Sequence, residues 1–239
     1  MGGLAATRAE ALLAERTADG WGGRWYGVAP ATVTDLMDPA GQGRIKVKLA
    51  WSPDGGGGQG YDHWARMATL FAGNERGSWF LPEVGDEVLV AFEHGDPRRP
   101  YVLGGLWNGQ DAPPRQASAR NNVKAIHSRN GVIITLDDSD GQEQLRLETP
   151  GGQSFTLKDG PGAVTIEDSS GNSVKLEVAG ITITAAAKVT VNAAQVAVSA
   201  GMVTVDAGMS TFSGVVRCDT LITTTCIATT YTPGAGNIW

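Results

Sequence analysis

From residue 131 to about residue 205 the chain repeats one small unit: two apolar side chains two positions apart, followed by a polar turn. VIITL, QLRLE, SFTLK, AVTIE, SVKLE, ITITA, KVTVN, QVAVS and MVTVD all carry it. Side chains two apart lie on one face of a strand, so each unit reads as a short strand with a single apolar side. The doublets begin at Leu145, Phe155, Val164 and Val174, nine or ten residues apart, and then at Ile181, Val189, Val196 and Val203, seven or eight apart. The turns shorten toward the C-terminus, and the object they build narrows. A strand of this length cannot enclose a core alone, and a short fixed period buries its apolar side only against neighbours. Three intertwined chains, each supplying one wall of a triangular prism, meet that requirement. The period itself therefore predicts a homotrimeric β-helical needle.

Composition along the repeat agrees. Between Val189 and Trp239 the only charged residues are Asp206, Arg217 and Asp219, while Thr, Val and Ala dominate. Stiff β-branched side chains suit a dense stacked sheet, and a monomer of this segment would leave long unpaired strand edges. The last residues, YTPGAGNIW, break the rhythm with Pro233, Gly234 and Gly236. Three copies of Ile238 and Trp239 near a threefold axis would form a blunt apolar platform.

Upstream the pattern differs. WYGVAPATVTDLMD, GRIKVKLAW, DHWARMATL, DEVLVAFE and YVLGGLW are strand candidates separated by Gly, Pro and Asp turns. Ile45, Val47 and Leu49 alternate with Lys46 and Lys48, as a strand with one buried face requires. Five short antiparallel strands in under a hundred residues fit a small OB-type barrel, whose closure hides most strand edges. Gly104 and Gly105 suit a strongly bent barrel strand or close approach by another backbone.

The segments GRIKVKLAW, RMATLFAGNERGSWFLPEVGDEVLVAFEHGDPRRP and YVLGGLWN, in that order, resemble the OB domain shared by baseplate spike proteins of contractile-tailed phages, Vgr-type proteins of type VI secretion and related injection particles. The resemblance covers roughly residues 27–112. It implies a trimeric spike whose OB collar meets a hub protein and whose blunt end, here Asn237, Ile238 and Trp239, is closed by a small conical tip protein. The chain departs from the Vgr pattern in having only about 25 residues before the barrel, so the hub is expected to be a separate polypeptide. Some phage spikes hold an apical iron through a His-x-His pair. No histidine lies near this C-terminus, so that arrangement is not expected.

Catalytic and binding alternatives find little support. His63, His94 and His127 are isolated and form no HxH or HExxH pattern. Cys218 and Cys226, eight residues apart, read as small strand residues; the alternative is soft metal ligands gathered about a trimer axis. Asp137, Asp138 and Asp140 belong to a turn, and the GGGGQG run at 55–60 lacks the ending of a phosphate loop. Serine nucleophile motifs are absent. The barrel region 27–111 holds seven basic and eleven acidic residues, and the whole chain carries a net charge of −6. The positive groove that nucleic-acid-binding OB folds use is missing. No apolar run approaches a membrane span, and the N-terminus has no apolar signal region.

The expectation is thus an all-β chain: an N-terminal adaptor segment with a short helix (1–24), an OB-fold domain (25–112), a linker (113–130) and a β-helical spike with a tip-docking end (131–239). No catalytic residue, cofactor or metal is expected. The expected role is the structural central spike of a contractile injection apparatus, made in the cytoplasm, assembled into a phage-tail-like particle and transiently meeting a target membrane. The alternative is a trimeric β-helical receptor-binding or glycan-degrading tailspike.

Overall fold

Alternation of buried and exposed positions organises the first half of the protein. The computed structural model describes residues 24–49, 62–160 and 164–230. In β1 (Val28–Asp35) the residues Ala29, Ala31 and Val33 point inward, and in β2 (Ile45–Leu49) so do Ile45, Val47 and Leu49. Strands β3 (Asp62–Met67), β6 (Glu87–Phe92) and β7 (Pro100–Gly105) add Ala65, Val88, Val90 and Val102, completing one closed core. These five strands form a closed barrel in the order β1-β2-β3-β7-β6. All its pairings are antiparallel except β3 with β7, where Arg66 faces Tyr101. This is the expected OB-type barrel, strand for strand. The register between β6 and β7 shifts beside the glycine pair, where Leu89 faces Gly104 and Val90 faces Val102, leaving Leu103 as the extra residue.

Between β3 and β6 the chain makes an excursion that the strand pattern does not foretell, a small hairpin of β4 (Ala72–Gly73) and β5 (Arg76–Gly77). Strand directions give the barrel two distinct ends. The β1–β2 loop, the β3–β6 excursion and the exit of β7 share one end; the entry to β1 and the β6–β7 turn share the other.

Seven further strands follow: β8 (Val123–His127), β9 (Ile133–Asp137), β10 (Gln144–Glu148), β11 (Ser154–Lys158), β12 (Val164–Glu167), β13 (Ser173–Glu177) and β14 (Gly180–Thr184). They pair only with their sequence neighbours, antiparallel, in one unbroken succession. The sheet starts at Val123, inside the segment expected to be linker. That strand lacks the doublet because Lys124 stands where the other strands carry an apolar residue.

The chain divides into two units, with the boundary after Ala186. In the second, the described residues 187–230 contain no strand and no buried residue. Their doublets at Val189, Val196 and Val203 therefore find no strand partner among the described residues. The short N-terminal helix expected in 1–24 lies outside the described residues but for Arg24, as do the docking residues Asn237, Ile238 and Trp239.

Candidate functional site

Register across the seven-stranded sheet collects the doublets into two continuous rows on one face. The first runs Leu136, Leu145, Leu157, Val164, Leu176 and Ile181, with Lys124 at its β8 end. The second runs Ile126, Ile134, Leu147, Phe155, Ile166, Val174 and Ile183. No side chain in either row is fully buried, and Ile166, Leu176, Ile181 and Ile183 stand exposed. A soluble chain seldom leaves so large a contiguous apolar surface open unless something covers it.

The opposite face is polar. Arg146 pairs with Glu148 at 3.0 Å and Lys175 with Glu167 at 3.7 Å. Thr135, nearly buried there, accepts a bond from the Arg115 guanidinium at 3.5 Å. The sheet thus has one wet side and one dry side.

Three turns on one edge of the sheet share a design. Ser128, Thr149 and Asp168 each pair with the residue four positions on, through Ser128 N to Val132 O, Thr149 N to Gln153 O and Asp168 N to Asn172 O. Gly131, Gly152 and Gly171, each the fourth residue of its turn, have φ of 85°, 85° and 86°. In the third turn the Asp168 carboxyl is held below its ordinary range by the Asn172 side chain and by backbone N–H groups. The turns stack: a Cβ on Gly152 would meet Ser169 Cβ at 3.1 Å.

At the shaft end of the barrel a groove of about 670 Å³ lies between the Gly41–Gly43 backbone and the β4–β5 hairpin. Its wall is braced. Asp38 accepts from the backbone N–H of Ala40, Gln42 and Arg44, and from the Arg44 guanidinium at 2.7 Å. That guanidinium holds the Asp38 carboxyl far below its ordinary value, overriding the opposite push of burial. Arg44 also lies over the Trp64 ring, 5.9 Å from its centroid. At the other end of the barrel Arg98 binds Asp96 at 3.0 Å and lowers its pKa to about 2.

The polar candidates stay dispersed. Asp137 accepts from Ser139 Oγ of its own turn at 2.6 Å and Asp138 from Lys124 Nζ of β8 at 3.0 Å, so both are engaged. His94 tops the β6–β7 turn with φ of 50°, His127 ends β8, and Cys218 and Cys226 are exposed. Among the described residues no group of three or more His, Cys, Asp or Glu could hold a metal. What the structure assembles is surface for partners: a dry sheet face and an apolar barrel end. Sequence reasoning found the doublets but not Met37, Leu70 and Trp107 as members of one end, which only strand direction reveals.

The geometry describes a baseplate-type injector protein, a barrel followed by an association sheet. Residues 29–107 match the type VI secretion system and phage-baseplate injector OB domain, and residues 144–209 the phage baseplate V C-terminal trimerisation domain. Together these matches cover more than half of the chain, which belongs to the phage baseplate V and Vgr spike family. Among its relatives, the type VI secretion system spike protein VgrG4b of Pseudomonas aeruginosa is 35% identical over 46% of this chain and 13% of its own length. VgrG1a of the same species is 31% identical over 44% of this chain and 18% of its own length. The actin cross-linking toxin VgrG1 of Vibrio cholerae is 27% identical over 44% of this chain and 10% of its own length. The matched part thus spans less than a fifth of each of these relatives.

Proposed function

We propose that this chain is the homotrimeric central spike of a contractile injection apparatus, with the barrel (25–112) as collar and the sheet and later repeats (from 123) as shaft. The observation that carries the reading is the sheet with two continuous apolar rows that the described residues leave uncovered. A second copy supplies the same rows, and a threefold arrangement closes three dry faces around one axis. The match of 144–209 to a trimerisation domain supports the same assembly.

The role is mechanical. Contraction of a sheath drives the spike through a target envelope, so the shaft must resist bending and breaks no covalent bond. A hub protein meets the collar at the end away from the shaft, and a small conical tip protein docks on Asn237, Ile238 and Trp239. The protein is made in the cytoplasm and works inside a phage-tail-like particle.

Light scattering of the purified chain tests the assembly. The expected mass is three times 24.9 kDa; a stable monomer overturns the reading. Trp239→Ala is expected to leave that mass unchanged while the tip protein is lost from isolated particles. Retention of the tip removes this residue from the docking surface.

A further inference from the structure

All chain crossings at the shaft end of the barrel carry exposed large apolar residues. Met37 follows β1, Leu70, Phe71, Trp79 and Phe80 occupy the excursion after β3, and Trp107 follows β7. Leu70 is 91% exposed, Trp79 72% and Phe80 65%. Their scaffold is built to hold shape. Ser78 N donates to Phe71 O at 3.1 Å, Thr69 Oγ donates to Ser78 O at 2.7 Å, and the Asp38–Arg44 clamp fixes the facing loop. Apolar side chains kept exposed on a braced hairpin lose little entropy when they dock, which is how binding surfaces are pre-organised. The opposite end differs: its β6–β7 turn is laced by the Asp96–Arg98 and Glu93–Arg99 ion pairs.

We propose that this apolar rim is a second interface between copies of the same chain, joining three collars side by side at the head of the shaft. The inference rests on the trimer reading above. It commits to a second copy because the first turn of the sheet that would gather the copies is tied to the excursion that carries the rim. Arg129, in the first turn of that sheet, binds Glu83 of the excursion at 2.8 Å. The exit from β7 is held at the same end, with Leu106 N donating to Glu87 O at 2.8 Å and Asn108 Nδ2 to Glu87 Oε2 at 2.8 Å. Copies gathered on the sheet therefore bring their rims together at high effective concentration, and even modest apolar contacts then add to the assembly. A hub, by contrast, would approach the charged end.

The test uses the purified full-length chain with the photo-crosslinker p-benzoyl-phenylalanine in place of Leu70, a position so exposed that the change removes little packing. A parallel protein carries it in place of Phe80, and a control in place of Arg98 on the far turn. Irradiation is expected to give covalent dimers and trimers from the two rim positions and several-fold less from the control. If light scattering reports a trimer while the rim positions yield only monomer bands, or no more product than Arg98, the rim is not an interface between copies. A monomer by light scattering sinks the trimer reading itself, and the two failures are thereby distinct.

Discussion

Asp38 shows how one carboxylate organises a loop. It accepts three backbone N–H groups and two nitrogens of a guanidinium fork, so Ala40, Gln42 and Arg44 are all referred to a single side chain. Its folded pKa lies well below the ordinary 3.8, so its contribution to stability is present above that value and is lost as the pH falls below it. Urea unfolding compared at about pH 7 and about pH 3 should therefore show a smaller loss for Asp38→Asn than for the parent, because the variant has already lost the charged partner. Equal losses would assign the acid sensitivity elsewhere, with Asp96 the next group to examine. The turn nature of this segment is plain in its Asp-Pro and two glycines, Asp38, Pro39, Gly41 and Gly43. That Asp38 should choose Arg44, and Arg44 the face of Trp64, depends on β2 and β3 lying side by side, which no local pattern states.

The stacked turns carry the argument at the level of elements. Each returns the chain with a glycine in the left-handed region, and each rests on the next, so the edge of the sheet is a column rather than a series of independent loops. At Gly152 both constraints act at once, since φ is 85° and an added Cβ would crowd Ser169 at 3.1 Å. Gly152→Ala should cost about 1–2 kcal/mol per chain from the left-handed backbone alone, with the contact added. Gly109→Ala, where nothing lies within 4 Å and φ is not positive, should be close to neutral. Denaturant midpoints of the two variants decide the matter; similar midpoints would mean the turn column relaxes freely. The strands between these turns are legible because apolar residues recur at i and i+2. Strand β8 is not, since Lys124 faces the dry side and only Ile126 marks the rows. Beyond Thr184 the same doublets recur with no strand among the described residues, and on the trimer reading their backbone hydrogen bonds would go to other copies. Sequence periodicity reports that a strand is wanted, not which chain supplies its neighbour.

At the scale of the molecule, barrel and shaft draw stability from different sources. The barrel buries Val33, Ile45, Val47, Val88, Val90 and Val102 completely within one chain. The shaft rows are not fully buried within one chain and 187–230 is exposed throughout, so the proposed trimer would have to supply their burial. A charge placed at the centre of the dry face tests that division. Phe155, paired with Leu147 on one side and Ile166 on the other, lies mid-row. Phe155→Lys would bring three ammonium groups together about the axis, and isolating a charge from water costs several kcal/mol even after relaxation. The trimer should fall to monomer in light scattering. Hydrogen exchange then separates the two parts: amides of 187–230 should lose their protection in the variant, while those of β1, β2 and β6 keep it, since local protection follows the contacts each segment possesses. Loss of protection in the barrel as well would mean that the collar also depends on assembly for its fold. Protection retained in 187–230 by a monomeric variant would mean that the repeats fold on their own chain, and the intertwined shaft would have to be abandoned.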